Sequence, residues 1–169
     1  MRSPGCSSIR FPGVDGFELA QVNVARLRAP LDDPAMRGFV DALEPVHRIA
    51  EAAPGFVWRL ATEGGHGVCV VDDAGGPAFC NLSVWQDYPS LHAFAYRGEH
   101  GRFVRARARW FVTTRQPSTA LWWVRSGTRP TVDGALRRLR HLRDHGPEPR
   151  AFGVRRRFTP DGRGDPCAR

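Results

Sequence analysis

Lysine is absent from this chain of 169 residues; all 25 basic side chains are arginine. With the abundance of Ala, Gly and Pro, that bias reads as the codon usage of a GC-rich genome, which weakens the meaning of the formal net charge of +8. The arginines are scattered and no nucleic-acid-reading motif accompanies them, so nucleic acid is not expected as a partner. No stretch approaches the ~20 apolar residues of a membrane helix, and Met1 to Val14 lacks the hydrophobic core of a signal peptide. A cytoplasmic location without a membrane partner is the expectation. Cys6, Cys69, Cys80 and Cys167 form no CxxC pair and no metal spacing, and read as reduced thiols. A GxSxG elbow, a P-loop, a dinucleotide fingerprint and a metal-binding helix motif are all missing, so those enzyme classes have no support. No repeat is visible at solenoid or propeller periods.

What is present suits one compact domain with a real core. Residues 1–15 and 159–169 are rich in Gly, Pro, Ser and Arg and read as a flexible N-terminal segment and a disordered tail, leaving 16–158 as a single domain. Within it, strand patterns cover Phe17 to Ala25, Phe56 to Leu60, Val68 to Val71, Phe79 to Gln86, Thr119 to Arg125 and Ala151 to Phe158. A helix follows an Asp32 or Asp33 cap with Pro34 in its first turn. Its stripe is Met36, Phe39, Val40, Leu43, Val46, His47 and Ala50, and Pro45 is expected to kink it. Further helices are expected over Pro89 to Arg97 and Pro130 to His145, the latter stopped by Gly146-Pro147. The order strand–helix–strand–strand–helix–strand is a ferredoxin-like α+β arrangement, extended by a helix and a terminal strand. Its first and third strands are central neighbours, and Gln21, Asn23, Asn81 and Ser83 then fall together in mid-sheet. Polar residues there suggest a lined cavity or a hydrated interface.

The run Glu99 to Phe111, read as a helix, places His100, Phe103, Val104, Arg107, Trp110 and Phe111 on one side. Burying Arg107 without a partner is expensive, so it is expected to meet a carboxylate, a backbone carbonyl or a ligand anion. An imidazole titrating near neutral pH can take a proton from a phenol or an activated carbon acid, and a guanidinium beside it can hold the resulting anion. His100 is therefore the candidate base and Arg107 the candidate anion holder. Against this, His100 can also be a core histidine donating to a backbone carbonyl, and His47 a satisfied core residue. Trp85 shares a face with Asn81 and Ser83, which makes it a candidate stacking wall, while most of the other aromatics are expected in the core.

The segments Leu19-Ala20-Gln21-Val22-Asn23-Val24-Ala25, Pro54-Gly55-Phe56-Val57-Trp58-Arg59-Leu60, Ser83-Val84-Trp85, Phe94-Ala95-Tyr96-Arg97-Gly98-Glu99-His100, Arg107-Ala108-Arg109-Trp110-Phe111, Leu121-Trp122-Trp123 and Gly146-Pro147 carry a resemblance. Together they resemble the family called domain of unknown function 3291, in the dimeric α/β-barrel superfamily of antibiotic biosynthesis monooxygenase-like proteins. The resemblance implies a homodimer in which two ferredoxin-like subunits join their sheets into a barrel. It implies no single activity, because that superfamily includes cofactor-independent monooxygenases, polyketide cyclases, haem-degrading enzymes, chlorite dismutases and stress proteins. Where the family usually has Asn this chain has His47, and where it usually has His this chain has Thr128.

These features lead to the expectation of a small-molecule enzyme of secondary metabolism, a cyclase, isomerase or monooxygenase acting on an aromatic or polyketide-like metabolite without a cofactor. Gln21, Asn23, His47, Asn81, Ser83, Trp85, Phe103 and Trp110 are the candidate substrate contacts, with Asn23 and Asn81 as orienting amides. Two alternatives stand beside it. One is a haem site using His100 and His47 with Arg107 on a propionate, although Trp85 and His100 are further apart than in the haem-degrading relatives. The other is a non-catalytic barrel that binds a ligand or a partner protein.

Overall fold

Alternation along Phe17–Arg26 builds the central strand, β1, and the rest of the sheet is arranged around it. The computed structural model describes residues 16–61, 69–73, 76–96 and 107–166. The other strands are β2 (Phe56–Arg59), β3 (Cys69–Asp72), β4 (Pro77–Trp85) and β5 (Thr119–Arg125), with helices α1 (Arg37–Glu51), α2 (Tyr88–Tyr96) and α3 (Val132–His145). The sheet is antiparallel in the order β2-β4-β1-β5, and β3 also pairs with β4. β2 takes the C-terminal end of β4 (Phe56 opposite Trp85), and β3 takes its N-terminal end (Asp72 opposite Pro77). The second strand of a ferredoxin-like sheet is thus delivered in two short pieces, and the order is the one expected.

The two faces differ in chemistry. Ala20, Val22 and Val24 of β1, with Cys80, Leu82 and Val84 of β4 and Trp122 of β5, form a dry face packed under Ala135, Leu139 and Leu142 of α3. The opposite face is covered by α1 and α2: Ala50 and Leu91 pack with Leu19, Trp85 and Leu121, and Phe39 and Leu43 close over Leu27 and Phe79. Helix boundaries follow local chemistry. The Asp33 carboxylate accepts from the Ala35 N–H before a 3-10 turn at Pro34–Met36 that leads into α1. Helix α1 runs unbroken through Pro45, which lies on its solvent side, where water can reach the carbonyl left without a donor. Thr131 caps α3 by accepting from the Gly134 N–H, and Gly146 at φ 79 ends it in a conformation that suits glycine.

Three expectations change. The helix read from Glu99 to Phe111 does not reach Phe111: Arg107–Arg109 is a 3-10 turn, and Phe111 is bridged to Leu27. The end of β1 captures this stretch, through Arg28 N–H to Trp110 O and Val112 N–H to Arg26 O, both 2.9 Å. The Arg28 side chain also donates to Ala108 O and Phe111 O, each at 3.0 Å. Second, Ala151 to Phe158 is not a strand. Only Phe152 pairs with Leu121, after which the chain turns at Gly153–Arg156 and uses Val154 and Phe158 to cover the apolar cluster around Trp85. Third, residues 159–166 are not a loose tail: Arg157 holds Asp165 at 2.9 Å, and Thr159 N–H donates to Arg163 O at 2.8 Å. The candidate flexible segment 1–15 lies outside the described residues.

The sheet face opposite α1 and α2 is covered by α3 of the same chain. Arg143 locks the helix down by gripping both oxygens of Asp73 at 2.7 and 2.9 Å. Leu139, only 1% exposed, is the centre of this contact. Leu139→Ala should lower the unfolding free energy by about 2–5 kcal/mol in urea titrations, while Leu136→Ala at the half-buried edge should cost clearly less.

Candidate functional site

On the face beneath α1 and α2, register brings the predicted polar residues together. Gln21 lies directly opposite Ser83, Asn23 opposite Asn81, and Leu19 opposite Trp85. Gln21 and Ser83 are 6% and 4% exposed, and Trp85 is 1% exposed. The Trp85 Nε1–H donates to Ser83 Oγ at 2.9 Å, and the Ser83 hydroxyl donates to Gln21 Oε1 at 2.9 Å. The Asn23 Nδ2 donates to Thr119 Oγ1 at 2.8 Å and to Ser118 O at 3.4 Å. The half-buried Asn81 side chain has no hydrogen-bond partner among the described residues.

Trp85 is placed differently from a stacking wall. Its ring is stacked on Phe94 with centroids 5.0 Å apart, and Phe56 meets it edge-on at 5.4 Å. What it offers the polar face is its N–H. Trp110 is likewise a packing residue, tilted against Phe39 at 5.9 Å. Arg107 is exposed, so the expectation that it is buried on an apolar face fails; the turn at Arg107–Arg109 directs it outward. His100 and Phe103 lie outside the described residues.

The Trp85–Ser83–Gln21 chain runs in one direction: the indole N–H only donates, Ser83 Oγ accepts from it, and the Ser83 hydroxyl donates to Gln21 Oε1. The Gln21 amide nitrogen then has no hydrogen-bond partner among the described residues. A buried donor left in that state costs about 1–3 kcal/mol.

One residue of this face escaped the sequence reading. Strict alternation from Phe56 would put Arg59 on the dry side. A bulge between Phe56 and Trp58 shifts the register, so that Trp58 faces Val84 and Arg59 comes to lie opposite Ser83. No residue in Phe56–Arg59 announces that bulge. Arg59 is tied by its Nε to Glu51 of α1 at 2.7 Å, with its side chain 18% exposed. One turn earlier on α1, His47 is half-buried, as its place on the apolar stripe anticipated. Burial pushes the His47 pKa below its ordinary value, the nearby Arg59 charge pushes the same way, and Glu51 opposes them. His47 therefore favours the neutral form that accepts a proton.

A cleft of about 110 Å³ also lies between Val24, Arg26, Gln116 and the Asp73–Arg143 pair, and it contains none of the predicted site residues. Among the described residues no group of three or more His, Cys, Asp or Glu side chains could hold a metal ion, and no helix is long and apolar enough to cross a membrane.

The fold and this polar face define an α+β, ferredoxin-like protein with hydrogen-bonding groups at the sheet centre. The chain belongs to the family described as domain of unknown function 3291, whose model matches residues 18–167. No functionally curated protein matches it. Among solved structures, the PA3566 protein of Pseudomonas aeruginosa is 12% identical, with a TM-score of 0.42 over 66% of this chain and 95% of that one. A protein of unknown function from Nitrosomonas europaea is 15% identical, with a TM-score of 0.41 over 68% of this chain and 94% of that one. A variant of SnoaB, a cofactor-independent oxygenase from Streptomyces nogalater, is 15% identical, with a TM-score of 0.41 over 68% of this chain and 96% of that one.

The lowered His47 pKa has a measurable sign. Because the unfolded chain holds the proton more tightly than the folded one, stability is greatest above the ordinary histidine value of about 6.5 and falls as pH drops through the lower folded value. His47→Gln should flatten that acid limb in urea titrations run from pH 8 down to pH 5. An unchanged limb would place the titrating group elsewhere.

Proposed function

We propose that this protein is a small-molecule enzyme acting on an aromatic or polyketide-like substrate by histidine acid–base chemistry. The observation that carries the reading is the polar face: Gln21, Asn23, Asn81 and Ser83 occupy the middle of a sheet, under helices, where a purely structural core would be apolar. His47 of α1, whose pKa burial and Arg59 push below its ordinary value, is the residue to which we assign the role of proton acceptor. When a phenolic O–H or an activated C–H gives its proton to the imidazole, an anion remains on the substrate oxygen. Arg59, paired with Ser83 across the strands, is the cation to which we assign the holding of that anion. Asn23 and Asn81 orient the substrate by their amides. Cyclisation, isomerisation and oxygenation of an electron-rich ring all begin with such a proton transfer.

The test is turnover of a panel of hydroxylated anthrones and naphthols, followed by absorbance and mass spectrometry. Conversion is expected with the wild-type chain, and His47→Gln should lower kcat by about 10²–10⁴-fold. Arg59→Met, His100→Ala and Arg107→Ala, assayed beside it, report which guanidinium and whether a second imidazole take part. Binding without turnover would instead make the chain a ligand-binding protein. Full activity in both histidine variants would overturn the mechanism.

A further inference from the structure

We infer that Gln21 selects ligands that present a hydrogen-bond-accepting oxygen, a ketone or quinone carbonyl or the enolate or phenolate derived from one. This rests on reading the face as a small-molecule site, and it adds the chemistry of the group that site takes. Three observations combine. Gln21 is 6% exposed, so its amide cannot turn to bulk water. Its oxygen is engaged by the Ser83 hydroxyl at 2.9 Å, and that hydroxyl is itself held by the Trp85 indole at 2.9 Å. Its nitrogen has no hydrogen-bond partner among the described residues.

The polarity of the relay turns these facts into selectivity. An Asn or Gln amide normally flips to suit whatever faces it, because its two ends are nearly the same shape. Here a flip would leave the Ser83 proton without its acceptor, since the Trp85 indole on its other side only donates. Trp85 cannot reverse the chain, since an indole nitrogen accepts nothing, and its ring is held by Phe94 and Phe56. Gln21 is therefore a preset donor. A ligand oxygen with lone pairs completes it, whereas a C–H group in the same place leaves it unpaired. A site built to hydrogen-bond one ligand group rejects the analogue that lacks it more strongly than a purely apolar pocket can.

The experiment compares two probes of the same ring system, 1-indanone and indane, by ¹H–¹⁵N NMR on the full chain. The Gln21 side-chain amide is assigned by its disappearance in Gln21→Met. The ketone should bind at least about tenfold tighter than the hydrocarbon, and only the ketone should move the Gln21 NH₂ signals downfield. Gln21→Met should bring the two affinities together while indane affinity is retained. Ser83→Ala, which frees the amide to flip, should shrink the preference without removing it, and it covers the case in which Gln21→Met does not fold. Equal affinities with unmoved Gln21 signals overturn the inference and leave the face as a binding site. Failure of both probes to bind at millimolar concentration overturns the reading of the face as a small-molecule site, and this inference with it.

Discussion

Everything in this molecule depends on how β1 registers against its two neighbours. Eight positions of β1 pair with β4 and seven with β5. Alternate side chains then separate into an apolar set under α3 and a partly polar set under α1 and α2. A slip of one residue would send Gln21 into the dry face and pull Val22 out of it. The same pairing sets Gln21 beside Ser83 and Asn23 between Asn81 and Thr119, so the register that builds the core also assembles the candidate site.

The arginine-rich composition finds its uses inside the fold. Arg157 lies 3.9 Å from the Tyr88 ring centre and pairs with Asp165; Arg138 lies 5.2 Å from that of Trp122. Arg28 and Arg143 hold backbone carbonyls where chain segments meet. A guanidinium does this better than an ammonium, because its planar fork stacks on rings and donates in several fixed directions. These roles anchor α3 and the C-terminal segment, and through them the covering of the apolar sheet face.

Much of the fold was legible because it follows from local periodicity. The alternation in Phe17–Arg26 and Thr119–Arg125, the caps at Asp33 and Thr131, and the stop at Gly146 act within a few residues of themselves. The reading failed where a distant segment overruled the local pattern. Arg107–Arg109 looked like the last turn of a helix, yet they form a 3-10 turn after which the end of β1 takes the backbone groups of Trp110 and Val112. The alternation after Ala151 looked like a strand, yet only Phe152 found a partner in the sheet, and Val154 and Phe158 served to cover the apolar cluster.

By itself the sequence determined the ferredoxin-like order of elements and the sharing of one face by Gln21, Asn23, Asn81, Ser83 and Trp85, because strand periodicity and short connections dictate both. Only the tertiary structure decided what those residues can do. The bulge in β2 moved Arg59 to the polar face, and the rings of Phe94 and Phe56 turned Trp85 from a wall into a hydrogen-bond donor. Burial, with the charge of Arg59 acting in the same direction, pushed the His47 pKa below its ordinary value. Each of these depends on contacts between segments far apart in the chain, and no local pattern encodes the distance or the direction of such a contact.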